Sequence, residues 1–198
     1  MTAAIQNPFE LFSEWFDAAI GTEPDVPDAM ILSTATAGGT PDARTVLLKG
    51  HDENGFVFFT NYNSAKGQEL AQNPKAALTF HWKTRKQQVR IKGEISKTSV
   101  AESDAYFASR PRGSQIGAWA SDQSAPLDSM DSLHDAVAAA AARFGDAPIP
   151  RPDHWGGYRL CPLTIEFWQD KSDRLHERQV FSRPNCNSNN WTKTHLYP

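Results

Sequence analysis

The chain has 198 residues, 39% of them hydrophobic, with 20 Lys and Arg against 23 Asp and Glu and a net charge of −3. That length sustains a hydrophobic core without metal or disulfide staples and fits one domain over 1–198, with a flexible N-terminus at 1–7. So mild a charge excludes the basic footprint of a nucleic-acid binder, yet it is uneven: no Lys or Arg precedes Arg44, seven acids do, and the rest carries an excess of four positive charges, which suits small anionic ligands.

Asn7 before Pro8 predicts a helix N-cap, and Phe12, Trp15, Phe16 and Ala19 form one apolar face that stops at Gly21. From Met30 the period changes. Met30 to Thr36, Thr45 to Lys49, Phe56 to Thr60, Ala76 to Trp82 and Val89 to Lys97 read as short strands, several separated by turn signals such as Gly38-Gly39 and Asn54-Gly55. Ser64, Lys66 and Gly67 open a helix between the third and fourth of these. Ser99-Val100-Ala101-Glu102 matches a capping box, predicting a helix to about Ser109 before a bend at Pro111. Another helix is expected over Asp128 to Phe144.

After the Pro-rich bend Pro148 to Pro152, strands return at Tyr158 to Leu160, Thr164 to Gln169, Arg174 to Ser182 and Trp191 to Leu196. The order predicts a mostly β (α+β) antiparallel sheet or barrel with covering helices, not an alternating βαβ fold. Cys161 and Cys186 lack a C-x-x-C and any His at ligand spacing, so neither a disulfide nor a metal site is expected, and a reducing cytoplasm fits. A secretory leader and a membrane-length apolar run are both missing, which predicts a chain neither exported nor membrane-inserted.

Three places could carry chemistry. Tyr106 to Trp119, YFASRPRGSQIGAW, sets Arg110, Arg112 and Ser114 around Pro111, and Tyr106 and Arg110 are four apart on one helical face. Arg forks, Ser hydroxyls and backbone N–H groups beside Gly113 and Gly117 suit a phosphate, although a solvated helix end fits the same composition. Arg174, His176 and Arg178 alternate along a strand and so share a face, which calls for solvent or an anion against it. Ser64 and Lys66 at a helix start form a third cation-bearing cradle. Trp82, Trp119, Trp155 and Trp168 could stack on a flat ring, or simply fill the core. No G-x-G-x-x-G, Walker A, G-x-S-x-G or H-E-x-x-H motif occurs, leaving the usual nucleotide cradles and hydrolase or zinc-peptidase sites without support.

Taken together, NPFELFSEWF, RTVLLKG, GFVFFTN, NPKAALTFHW, QQVRIKGE, YFASRPRGSQIGAWASDQS, HWGGYRL, IEFWQD and RLHERQVF resemble the pyridoxamine (pyridoxine) 5′-phosphate oxidase family from Pro8 to Pro198. The resemblance implies an FMN-binding split β-barrel, a homodimer with flavin at the subunit interface. By resemblance, FMN contacts fall on Arg44, Thr45, Val46, Leu47, Leu48, Lys49, Phe59, Thr60, Lys66, Gln88, Gln123, Ser124, Trp168 and Arg178. Substrate contacts fall on Lys49, Tyr106, Arg110, Ser114, Arg174, Leu175 and His176, with Arg174 and His176 over the reacting ring.

The implied reaction takes pyridoxamine or pyridoxine 5′-phosphate to pyridoxal 5′-phosphate, with O2 as acceptor and H2O2, plus NH3 from the amine, as products. Similar motifs occur in flavin-dependent oxidases of dihydrophenazine-type compounds, and a non-catalytic flavin- or pyridoxal-phosphate-binding dimer is a further alternative. The chain departs from the family pattern at Ala65, where Arg is common, and at Asp122, where a basic residue is common.

Overall fold

A computed structural model describes residues 7–198. The flexible segment expected at 1–7 lies, apart from Asn7, outside the described residues. Asn7 caps helix α1 (Pro8–Ile20), its side chain accepting from the Phe9 N–H at 2.9 Å. Phe12 and Ala19 of the expected apolar face are fully buried, while Trp15 and Phe16 pack at the margin. The Phe12 ring meets Phe56, Phe80 and Trp82 with centroids 4.8 to 6.1 Å apart, so α1 plugs one end of the barrel.

Nine antiparallel strands follow: β1 (Ala29–Ala35), β2 (Pro41–Leu47), β3 (Gly50–Asp52), β4 (Gly55–Asn61), β5 (Lys75–Trp82), β6 (Gln87–Lys97), β7 (Trp155–Gln169), β8 (Glu177–Ser182) and β9 (Thr192–His195). Their order is β2-β1-β5-β6-β7-β4-β3, with β8 on β7 and β9 on β8. The sheet curls back on itself beyond β2, where the Lys49 N–H donates to the Val57 carbonyl at 2.8 Å. Alternate residues point inward, among them Met30, Leu32, Phe56, Phe58, Leu78, Phe80, Val89 and Ile91.

Strand β7 unites two runs that the sequence separates at Pro162. Its first half pairs with β4, its second with β8, and β6 runs beside both. Leu160 and Ile165 are both fully buried although an odd number of positions apart, so the alternation must slip once between them. It does so at a bulge opposite Lys92 and Gly93. Gly93 is required there, since a Cβ would lie 1.9 Å from the Cys161 carbonyl oxygen.

Two local expectations are corrected. The expected strand from Arg174 begins only at Glu177: Ser172–Arg174 is a 3₁₀ turn with Asp173 and Arg174 at φ of 57° and 60°, and extended pairing cannot include two successive left-handed residues. The expected bend after Pro111 is instead helix α4 (Arg112–Ala120). Proline has no N–H to leave unpaired at a helix start, and its carbonyl accepts from the Ser114 and Gln115 N–H groups at 2.8 and 3.1 Å. Gly113 and Gly117 are therefore helical positions. Helices α2 (Ala65–Gln72) and α3 (Val100–Ser109) occur where caps predict them, α3 with its full capping box, and α5 (Met130–Phe144), capped by Ser129, lies within the expected Asp128 to Phe144. Arg112 joins α4 to the end of α5 by donating to the carbonyls of Ala147, at 2.9 Å, and Gly145.

The cysteine expectation is also corrected. Cys161 and Cys186 form a disulfide, with Cα atoms 6.0 Å apart. They are 25 positions apart with no local motif, and only the return of β8 along β7 brings the β8–β9 loop to Cys161. The cysteines therefore no longer argue for a reducing compartment. Among the described residues, no helix is long and apolar enough to cross a membrane. Closing a loop of this length constrains the unfolded chain by about 3 kcal/mol, so reduction is expected to lower the melting temperature by about 10 °C. Thermal melts with and without a thiol reductant check this; equal midpoints would show that the bond constrains nothing.

Candidate functional site

The first cluster forms where β2, β4, α2 and α3 meet. Ser64 caps α2, and Lys66 in its first turn donates from Nζ to Ser64 Oγ at 3.3 Å and to Gln123 Oε1 at 2.9 Å. Thr60 Oγ1 donates to the same Gln123 oxygen at 3.2 Å. Burial, then the neighbouring Arg44 charge, pushes the Lys66 ammonium below its ordinary value. Arg44 on β2 is held by Glu69 of α2 at 2.9 Å and also by Asp42 and Thr34. Arg44 and Lys66 repel one another, and Glu69 and Asp42, the partners of Arg44, offset that repulsion only in part, the electrostatic condition of a site that takes up an anion.

Beside them stands an aromatic wall. The Phe59 and Tyr106 rings stack with centroids 4.0 Å apart, and Trp155 lies 5.5 Å from Phe59 and nearly parallel to it. Gly157 admits this wall, because a Cβ there would come within 2.8 Å of Phe59 Cε1. The Arg110 guanidinium sits 4.6 Å from the Trp155 ring centroid. Arg110 is not on the helical face expected for it: it is the extended C-cap of α3, as a residue before proline must be. Its Nη1 is buried with no hydrogen-bond partner among the described residues, and burial pushes the guanidinium below its usual value.

Arg44, Thr45, Val46, Leu47, Lys49, Phe59, Thr60, Lys66, Tyr106, Arg110, Gln123 and Trp155 line one cavity of about 340 Å³. All but Trp155 are predicted FMN or substrate contacts, drawn from segments up to 80 positions apart. Lys49 is paired with Asp28 at 2.8 Å. Leu48 instead points into the core, only 4% exposed. Ser114 is exposed on the first turn of α4, and Ser124 follows Gln123 with φ 72°; neither lines the cavity.

The remaining predicted residues form a second cluster across β6, β7 and β8. Gln88 pairs with Trp168 and Trp168 with Arg178, so three strands present them in one row. His176 packs its ring 4.7 Å from that of Trp168, and its Nδ1 lies 3.0 Å from Asp170. Arg174 and Leu175 are exposed beside it on the left-handed turn. Beneath the row lies Glu166, 6% exposed, accepting from Arg178 Nε at 2.8 Å and from Arg90. Burial pushes its carboxyl up, but bonds from Arg178 and Arg90 outweigh burial and hold it below the usual value.

Sequence reasoning named Trp155 only among four tryptophans that could stack on a ring or fill the core, not among the site contacts, and it missed the carboxylates Glu69, Asp28 and Glu166 that orient the cations. Glu69 stands three residues after Lys66, one helical turn away, which was a usable signal. Nothing in the sequence marks Glu166 as the partner of Arg178.

Known proteins resemble the chain along nearly its whole length. Residues 16–144 match the family model for pyridoxamine 5′-phosphate oxidase, and residues 155–198 match that for the pyridoxine 5′-phosphate oxidase C-terminal dimerisation region. The chain is 54% identical over 195 residues to the pyridoxine/pyridoxamine 5′-phosphate oxidase of Azorhizobium caulinodans, covering 98% of this chain and 92% of that one. It is 55% identical over 193 residues to that of Caulobacter vibrioides, with 98% and 86% covered. Among solved structures, PhzG from Burkholderia lata, in complex with tetrahydrophenazine-1-carboxylic acid, superposes with a TM-score of 0.89 at 32% identity, over 98% of this chain and 94% of that one. An FMN-binding protein from Nostoc punctiforme shares the fold, at a TM-score of 0.76 and 14% identity over 99% and 100% of the two chains. With both halves matched and relatives above 50% identity along nearly its whole length, the chain belongs to the pyridoxamine 5′-phosphate oxidase family.

Proposed function

We propose that this protein oxidises pyridoxamine 5′-phosphate and pyridoxine 5′-phosphate to pyridoxal 5′-phosphate, with FMN as cofactor and O2 as acceptor. The observation that carries this is the cavity itself: Arg44, Lys49, Lys66 and Arg110 converge beside a stacked aromatic wall, and Arg110 Nη1 is buried without a partner among the described residues. A partnerless buried guanidinium donor is costly unless a ligand anion completes it. The donor set suits a flavin phosphate on the Arg44 and Lys66 side and a substrate phosphate on the Lys49, Tyr106 and Arg110 side.

Held by residues such as Arg44 and Lys66, FMN would supply the redox chemistry, a two-electron oxidation at substrate C4′ with O2 as final acceptor. The protein's own work is to orient and to exclude water. Arg44 is pre-aligned by Glu69, Thr60 and Lys66 are tied together through Gln123, and Phe59 and Tyr106 form an apolar wall. Gln88, Trp168 and Arg178 would meet the flavin from a second copy, since they do not line the same cavity of one chain. The match of residues 155–198 to a dimerisation region supports a homodimer completed in this way. Arg174 and His176 would then lie over the substrate ring and set the charge near C4′.

The likeness to the Burkholderia lata protein supports one other reading, oxidation of a tricyclic carboxylic acid at the same cavity. The purified protein's visible spectrum reports flavin, and adding pyridoxine 5′-phosphate under air reports turnover through peroxide and aldehyde. A colourless protein that stays inactive after FMN is added back would overturn the proposal. Replacing Arg174 by Ala is expected to lower turnover at least tenfold more than it lowers flavin content, because Arg174 is exposed beside the row rather than within it. Equal losses would remove its assigned role.

A further inference from the structure

The Cys161–Cys186 pair lies outside the cavity and outside the row, and the surroundings of its two sulfurs are unlike. Cys161 Sγ lies 3.1 Å from Nη2 of Arg183, a residue only 7% exposed. The other donors of that guanidinium are occupied by neutral carbonyls, Nε by Pro162 at 2.6 Å and Nη1 by Ser188 at 3.2 Å. Its face rests on the Trp191 ring, 4.8 Å from the centroid. Among the described residues no carboxylate pairs with Arg183, so an anion formed on the adjacent sulfur is the partner that its charge lacks. Cys186 Sγ, by contrast, lies 3.9 Å from the Glu94 carboxylate, which disfavours a second negative charge beside it.

We propose that these cysteines form a peroxide-reactive dithiol in which Cys161 is oxidised first and Cys186 resolves it to the disulfide. In the reduced chain the Cys161 thiolate attacks one oxygen of hydrogen peroxide. The O–O bond breaks, the departing hydroxide takes a proton to become water, and Cys161 carries a sulfenic acid. The Cys186 sulfur then attacks the Cys161 sulfur, its proton leaving with the sulfenic hydroxyl as a second water. Two thiols and one peroxide thus give one disulfide and two waters.

Geometry supports the second step as well as the first. Cys186 sits in the loop between β8 and β9, between two exposed asparagines, and can approach without disturbing the core. The closed bond fastens that loop to β7 at the edge of the hairpin whose first strand carries Arg178. Peroxide is the by-product of the reaction proposed above, which gives the dithiol an oxidant at hand; the chemistry at the sulfurs is independent of that source.

The test uses the purified full chain with whatever flavin it holds, reduced, freed of reductant, and given hydrogen peroxide with no vitamer present. Failure of the proposed oxidase reaction therefore leaves the result unaffected. Expected are loss of both thiols, a mass decrease of two hydrogens, and a rate about tenfold above that of free cysteine at pH 7. In C186S a sulfenic-acid probe should label Cys161, whereas in C161S Cys186 should remain unlabelled under the same exposure. A wild-type rate no faster than free cysteine, cross-linking between chains in place of the internal bond, or labelling of Cys186 but not Cys161 would overturn the proposal.

Discussion

Replacing Arg110 by Ala is expected to raise the KM for pyridoxine 5′-phosphate about 100-fold while flavin content and melting temperature change little. The guanidinium is fixed on Trp155, and its Nη1 has no partner among the described residues. Two charge-assisted bonds to a phosphate at about 1.5 kcal/mol each amount to about 3 kcal/mol, or roughly two powers of ten in affinity. Stability should not suffer, because the substitution removes a buried, unsatisfied donor rather than a bond; a slight gain is consistent with a group kept for ligand binding. Arg110→Lys keeps the charge but loses the planar fork and the ring contact, so it should recover only part of the affinity. An unchanged KM in Arg110→Ala would remove Arg110 from the phosphate site. Retained oxidation of a non-phosphorylated tricyclic acid, with no activity on the B6 phosphates in wild type, would favour the alternative substrate.

Glu166→Ala is expected to destabilise the protein by about 2 kcal/mol, because it removes the buried carboxylate shared by Arg178 and the more exposed Arg90. It should also release Arg178 from its place in the row with Trp168, so flavin retention should fall with stability, unlike in Arg110→Ala. A pH dependence follows from the lowered Glu166 value. A carboxyl whose folded value lies below its unfolded value of about 4.5 stabilises fully above that pH and loses the contribution as pH falls through the folded value. The stability difference between wild type and Glu166→Gln should therefore be constant from pH 7 to about 5 and shrink below 4.5. Denaturant melts across that range measure it, and a difference that stays flat to pH 3 would contradict the ion-pair account.

Helix starts were the most legible part of the chain. The Asn7, Ser64 and Ser99 caps all act within a few residues of their own backbone, so sequence spacing contains the whole interaction. Strands β1, β4, β5 and β6 were legible from alternation, whereas β2 begins at Pro41 rather than Thr45, β3 gave no signal of its own, and in β7 the bulge opposite Gly93 shifts the period and Pro162 reads as an end. The turn at Asp173 and Arg174 was illegible because nothing short of the backbone itself shows two non-glycine residues in left-handed conformation. The expected tripled cationic face on one strand therefore reduces to Arg178 on β8, His176 against Trp168, and Arg174 on the turn.

The chain's own sequence determined its family, most of its helices and strands, and the identity of the cavity cations, since these rest on residue type and short-range spacing. Tertiary structure alone decided which residues meet. The antiparallel return of β8 along β7 makes a disulfide of two cysteines that look unrelated, and curling of the sheet carries Lys49 and Arg44 to Tyr106 and Arg110. Glu69 and Glu166 likewise became the partners of Arg44 and Arg178 only through helix and strand packing. Such contacts depend on register, on burial and on the path of the chain between distant segments, none of which is encoded in the types and spacing of neighbouring residues.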